Sequence, residues 1–277
     1  MANYKGVHLW VKKFGYTHHG LGIGKGEVIH YSGLAHGLEA GPICKVSLEE
    51  FSSGSKIYMK KHPERKFNVS ESLLRAKSRL GEDAYTVWGN NCEHFVNWCI
   101  NDKHNSRQVD KVVTSGSGAA SLAAARGGIA VVSATGATAG LSGSGVMSGL
   151  ATIGGTVGGG AVAGAAGLAA SSGLGAASIL NNTVLKDDPA LTEKERNSRS
   201  VGRGASYAGA GVGTAGGVAA IRAMGATGGL SAAGITSGLA AVGGTVGGGM
   251  AAGVGVVVAA PAVLAVALGF GIYKLLN

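Results

Sequence analysis

Residues Gly6 to Lys12 alternate, with Val7, Leu9 and Val11 on one side of the chain and His8 and Trp10 on the other. That period of two predicts a half-buried strand. Two further short runs flank Gly24-Lys25-Gly26 within HHGLGIGKGEVIHYSG, residues 18–33, and predict a hairpin. A three-residue loop pairs Ile23 with Glu27 and Gly20 with His30. It gathers Leu21, Ile23, Ile29 and Tyr31 on one face and His18, Gly20, Gly22, Val28 and His30 on the other. A two-residue loop sets Leu21 opposite His30 and mixes the faces, so the segregated register is expected. His18 and His30 then become diagonal neighbours, about 7–8 Å apart at Cβ, with Gly20 and Gly22 leaving open space beside both rings.

Residues 46–59 predict one or two further short strands around Ser52-Ser53-Gly54. Asn68 to Gly81 reads as a helix, with Asn68 as N-cap, Glu71 three residues on, Leu73, Ala76 and Leu80 on one stripe and Gly81 as the stop. In NNCEHFVNWCI, residues 90–100, Asn91 caps a helix whose apolar stripe is Phe95, Val96, Cys99 and Ile100. Cys92 falls in its first turn, where unpaired N–H groups and the positive dipole end favour a thiolate. Cys99 belongs to the core stripe.

Beyond about residue 112 the alternation gives way to Gly, Ala, Ser, Thr and Val. All eight histidines, all three cysteines and 27 of the 39 charged residues lie in residues 1–112, whereas 39 of the 51 glycines lie in 113–277. The boundary is therefore set at 1–112 and 113–277. GATAGLSGSGVMSGLATIGGTVGGGAVAG at 136–164 matches GATGGLSAAGITSGLAAVGGTVGGGMAAG at 225–253, offset by 89 without a gap. This internal repeat excludes a merely shared composition, and the lack of a Gly at every third residue excludes collagen.

Each copy sits in a charge-free stretch, 127–180 and 223–273, long enough to cross a bilayer. Small residues recur four apart, as in Gly145/Gly149 and Gly234/Gly238, the spacing that lets helices approach closely in lipid. Two glycine-zipper hairpins are expected, with turns near Ser142–Ser144 and Ser231–Ala233 and an extra helix from Pro261 to Tyr273. A disordered Gly/Ala/Ser linker is the alternative. Arg126, the polar segment 186–203 and Lys274 would then share a side with the first domain, which the positive-inside rule makes cytoplasmic.

The net charge of +9 suits an anionic membrane surface. Nucleic acid is not expected as a partner, since no basic cluster interleaves with aromatics. The odd cysteine count and the absence of a charged n-region followed by an apolar h-region point to a reducing compartment. No paired CxxC occurs, so no metal is expected. The run Lys60-Lys61 with Arg65-Lys66 reads as a solvated face, and His36, His62 and His104 as surface residues.

A cysteine at a helix start packed against a strand histidine, with a second polar group orienting the imidazole, is an arrangement of thiol hydrolases and acyltransferases. YTHHGLGIGKGEVIHYSG (16–33) followed by NNCEHFVNWC (90–99) resembles the two signature blocks of the lecithin:retinol acyltransferase (LRAT)-like family, over roughly residues 5–102. The resemblance implies an α+β fold, a permuted NlpC-type papain-like thiol domain with a small antiparallel sheet and packed helices. It implies Cys92 as nucleophile, His18 rather than His19 as base, and His30 as the group orienting that base; His94 is read as structural or as a helix-surface residue. The implied chemistry is acyl transfer from phospholipid or another acyl substrate to water, an alcohol or an amine, with no cofactor. A cysteine peptidase or amidase remains open, as does a non-enzymatic effector whose glycine-zipper helices perturb membranes, with homo-oligomers formed through the same helices.

Overall fold

The computed structural model describes residues 3–33, 41–189 and 191–277. His36 lies outside them. The chain divides into two compact units, one comprising residues 1–113 with 188–195 and Asn277, the other 114–187 and 196–276.

The first unit is α+β. Strands β1 (His8–Lys13), β2 (Tyr16–Gly24), β3 (Glu27–Tyr31), β4 (Ile43–Ser47) and β5 (Ile57–Lys60) form one antiparallel sheet in the order β4-β3-β2-β1-β5. Leu21 pairs with Ile29 and Gly22 with Val28, the register that segregates the faces, but the turn itself is tighter than expected. Lys25 and Gly26 alone form it, at φ 53° and 75°, as a type I′ turn demands. A register shift between Gly22 and Gly24 restores the pairing.

The two faces of the sheet have different jobs. Leu21, Ile29, Tyr31 and Ile43 pack against Phe95, Val96, Cys99 and Ile100 of helix α3 (Cys92–Asn101) and Leu73 and Ala76 of helix α2 (Val69–Ser78). Leu9, Val11 and Val28 pack on Phe51 from the opposite face. Phe51 belongs to α1 (Leu48–Ser52), a short helix where strand was expected, capped by the Ser47 hydroxyl, which accepts from the Glu50 amide. The space beside the histidines is not open either. A Cβ on Gly20 would strike Val28 and Phe51, and one on Gly22 would strike Tyr4.

Both α2 and α3 begin with a capping box, Asn68 with Glu71 and Asn91 with His94. In each, the N-cap side chain accepts from the first turn while the third residue's side chain accepts from the N-cap amide.

The second unit is helical. Helix α4 (Arg107–Thr135) leads into it, followed by α5 (Gly143–Gly155), α6 (Ala161–Asn182), α7 (Glu193–Met224), α8 (Ala232–Gly244) and α9 (Met250–Leu276). Ser142 and Ser231 are N-caps of α5 and α8, accepting from Gly145 and Gly234. Loops at 136–142 and 225–231 therefore end at the serine caps, close to the expected turns, and a further turn follows in each copy at 156–160 and 245–249. Pro261 to Tyr273 is not an extra helix but the continuation of α9, with Pro261 inside it.

Glycine lets backbones touch here. A Cβ at Gly164 would land on the Leu150 carbonyl oxygen, and one at Gly253 on that of Leu239. Val146, Leu150, Ala169, Leu239, Val254 and Val258 share one buried cluster. Among the described residues, α6 and α9 are the two helices long and apolar enough to cross a membrane.

Candidate active site

Each candidate side chain is placed by an element already described. His18 and His30 share the Phe51 face, with ring centroids 5.3 and 5.6 Å from that phenyl. His18 Nε2 lies 2.7 Å from His30 Nδ1, so the diagonal pair of the hairpin is joined by a hydrogen bond. His30 is paired across the sheet with Cys44, whose Sγ lies 3.4 Å from His30 Nε2.

Cys92 opens α3 and its sulfur lies 4.0 Å from the carbonyl oxygen of Thr17. The backbone amide of His19 also bonds to it. The sulfur is thus held against the β2 backbone on both sides of His18. Beside it opens a mainly apolar cavity of 180 Å³, bordered by Tyr16, Thr17, Tyr85, Trp88, Gln108 and Val109. Small-molecule pockets usually run to about 300–1,000 Å³, so this space is smaller than those.

The expected low thiol pKa is not what the structure gives. Burial pushes Cys92 up to about 12, and the Glu93 carboxylate adds to the rise. The amides of His19, Glu93 and Cys92 itself act in the opposite direction but do not overcome the loss of water. Desolvation penalises the thiolate more than the helix start rewards it. The resting group is a protonated thiol, and a nucleophile here must surrender its proton to a base.

His19 faces away from His18, on the α3 side, as its parity requires. There the structure holds an arrangement that the sequence did not announce. His62 Nε2 lies 2.8 Å from His8 Nδ1, His8 Nε2 2.8 Å from His19 Nδ1, and His19 Nε2 2.8 Å from the Thr17 hydroxyl. Asn101 closes the far end, 2.7 Å from His62 Nδ1. Burial comes first in lowering His8, His19 and His62, the last two to about 4. His62 is therefore a partner in an imidazole chain, not a solitary surface residue. His104 is likewise buried, bonded to the Gly89 carbonyl and stacked on His94. His94 accepts from the Asn91 amide through Nδ1, a structural role at the cap.

Glu93 was also invisible to spacing. It is buried, accepts from Lys60 Nζ at 2.9 Å and from the Ser106 hydroxyl at 2.8 Å, and is held below the ordinary carboxylate range. Burial alone would raise it, but His19 and Lys60 outweigh that. The basic run is accordingly no simple solvated face. Lys60 serves Glu93, and Arg65 donates to the Gly6 and Phe67 carbonyls. Gln108 amide groups bridge both backbone polar groups of Thr17, and only the fold could bring that residue there. Among the described residues, no group of three or more His, Cys, Asp or Glu is arranged to hold a metal.

A five-stranded antiparallel sheet carrying a histidine pair on its hairpin, with a cysteine helix docked on it, defines an LRAT-type α+β domain. The Lecithin retinol acyltransferase family profile matches residues 3–105. Human Phospholipase A and acyltransferase 2 is 30% identical over 131 residues, which cover 42% of this chain and 81% of that protein. The chain belongs to the LRAT family. These likenesses support an acyltransferase or phospholipase-like function.

Proposed function

We propose that the first unit is a thiol acyltransferase or acyl hydrolase that takes acyl groups from phospholipid through a Cys92 thioester. The observation that carries this reading is the seat of the Cys92 sulfur. It lies against the backbone flanking His18, whose Nε2 engages His30 Nδ1.

In this mechanism the sulfur, seated on the Thr17 and His19 backbone where β2 has passed beyond its pairing with β3, gives its proton around that strand edge to His18 Nδ1 on the Phe51 face as it attacks the ester carbonyl. The Cys92 amide, which the Asn91 cap leaves out, donates to the developing oxyanion. Collapse breaks the ester C–O bond, His18 returns the proton to the departing alkoxide, and the acyl group remains on sulfur. Water, an alcohol or an amine then attacks the thioester with His18 taking its proton, the C–S bond breaks, and His18 returns the proton to the Cys92 sulfur. His30 accepts from His18 Nε2–H and supports the imidazolium. With the thiol protonated at rest, proton transfer and attack occur together.

Helices α6 and α9 support a bilayer anchor, with the first unit on the cytoplasmic side and close glycine contacts stabilising helix pairs. Such a tether raises the local concentration of lipid substrate. The test is release of fatty acid or transfer product from phosphatidylcholine vesicles by the full chain. Cys92→Ala should lower turnover by on the order of 10³ or more. Turnover persisting in that variant would overturn the reading, and a biological effect that survives it would favour a membrane-perturbing effector.

A further inference from the structure

Cys44 has no part in the chemistry above, yet it extends the hydrogen-bonded line that starts at the base, and it is itself hydrogen-bonded to the Ser32 side chain. It stands directly opposite His30 in the β3–β4 register, with Sγ 3.4 Å from His30 Nε2. His30 Nδ1 in turn lies 2.7 Å from His18 Nε2. A neutral imidazole carries one proton, so one nitrogen donates and the other accepts. This couples the tautomers along the line.

For His18 Nδ1 to take a proton, the His18 proton must reside on Nε2. That proton must be accepted by His30 Nδ1, which places the His30 proton on Nε2. The group facing that nitrogen must therefore accept. The opposite order, with Cys44 donating to His30 Nε2, puts the His18 proton on Nδ1 and disables the base. Tautomers of metal-bound and catalytic histidines are set by the hydrogen bond on the far nitrogen, and here the far group is a sulfur.

We propose that Cys44 is a positioning residue, accepting the His30 Nε2–H bond so that the His18–His30 pair holds the tautomer in which His18 can act as base. The proposal rests on the acyl-transfer reading and extends it to a residue on a neighbouring strand. Cys44 itself is half-buried, and its thiol is raised by burial and by Glu50, which keeps it a neutral, weak acceptor. A serine hydroxyl can accept in the same place. An alanine cannot.

The experiment uses the full chain in detergent micelles with p-nitrophenyl palmitate as acyl donor. Cys44→Ala should lower kcat about three- to tenfold, the worth of one hydrogen bond, and leave KM unchanged. Cys44→Ser should restore kcat. In parallel, nitrogen-15 spectra of histidine-labelled protein should show His30 protonated on Nε2 in the wild type and in Cys44→Ser, and a mixture of tautomers in Cys44→Ala. An unchanged kcat and an unchanged His30 tautomer in Cys44→Ala, with Cys92→Ala inactive, would overturn this proposal alone. Full turnover by Cys92→Ala would overturn the acyl-transfer reading and this inference with it.

Discussion

The two units are stabilised by opposite means. In the first, polar side chains reach one another across the sheet, as in the His62–His8–His19–Thr17 line and the Lys60–Glu93 pair. In the second, side chains are missing where helices meet, and the backbone of Leu150 or Leu239 fills the gap above Gly164 or Gly253. One region depends on groups that titrate and donate; the other depends on the absence of a methyl group. The lesson is that the first is vulnerable to pH and the second to added volume.

The largest expected separation comes from acid. His8 and His19 are buried with folded-state values below the ordinary imidazole value of 6.5, His19 at about 4. Between those values the unfolded chain binds more protons than the folded one. Stability therefore falls as pH drops from 6.5 toward 4, by about 1.4 kcal/mol per pH unit for each such imidazole at the steepest part. The stretches 127–180 and 223–273 contain no Asp, Glu, Lys, Arg or His. All three tryptophans lie in the first unit, so their fluorescence should report acid unfolding before the helical circular dichroism is lost. Simultaneous loss of both signals would mean that the helical unit shares the acid sensitivity of the first.

Added volume should act in the reverse sense. Gly164→Ala and Gly253→Ala each place a carbon on a carbonyl oxygen, costing about 1–3 kcal/mol. The measurement is thermal loss of helical signal in micelles, with the tryptophan transition unmoved. Equal melting of wild type and both variants would show that those helices do not meet as described.

Smaller effects sharpen the contrast. Asn68→Ala removes the cap of α2 and should cost about 1 kcal/mol in the tryptophan transition. Gly175→Ala lies in α6 with nothing within 4 Å of the new carbon, and should stabilise that helix by up to about 1 kcal/mol. A loss of helix stability there would mean that a neighbour occupies the space.

The comparison also marks what spacing could reveal. Alternation around Gly24–Gly26 fixed the faces that carry His18 and His30, the Asn68 cap was readable from Glu71 three places on, and the Asn91 cap from the apolar stripe that follows it. Those are local rules. What escaped depended on distant segments meeting: His62 on His8, Glu93 under Lys60, Gln108 on Thr17. The Cys92 pKa escaped for the same reason, because a helix start is visible in sequence and the burial that outweighs it is not. In the second unit the four-residue glycine spacing was only a partial guide, since Gly149 and Gly164 meet backbone while Gly155 and Gly160 meet nothing within 4 Å. The loops ending at Ser142 and Ser231 were followed by a second turn in each copy that the spacing did not show.

Acyl transfer by this unit requires a covalent intermediate at Cys92. The full chain would be mixed with dioleoylphosphatidylcholine vesicles, quenched in acid within seconds, and weighed intact and as peptides. The predicted result is one oleoyl group on the peptide carrying Cys92, absent from Cys92→Ala and discharged when an amine acceptor is added before the quench. Lipid turnover without that adduct, or the acyl group found on Cys44 or Cys99 instead, would contradict it.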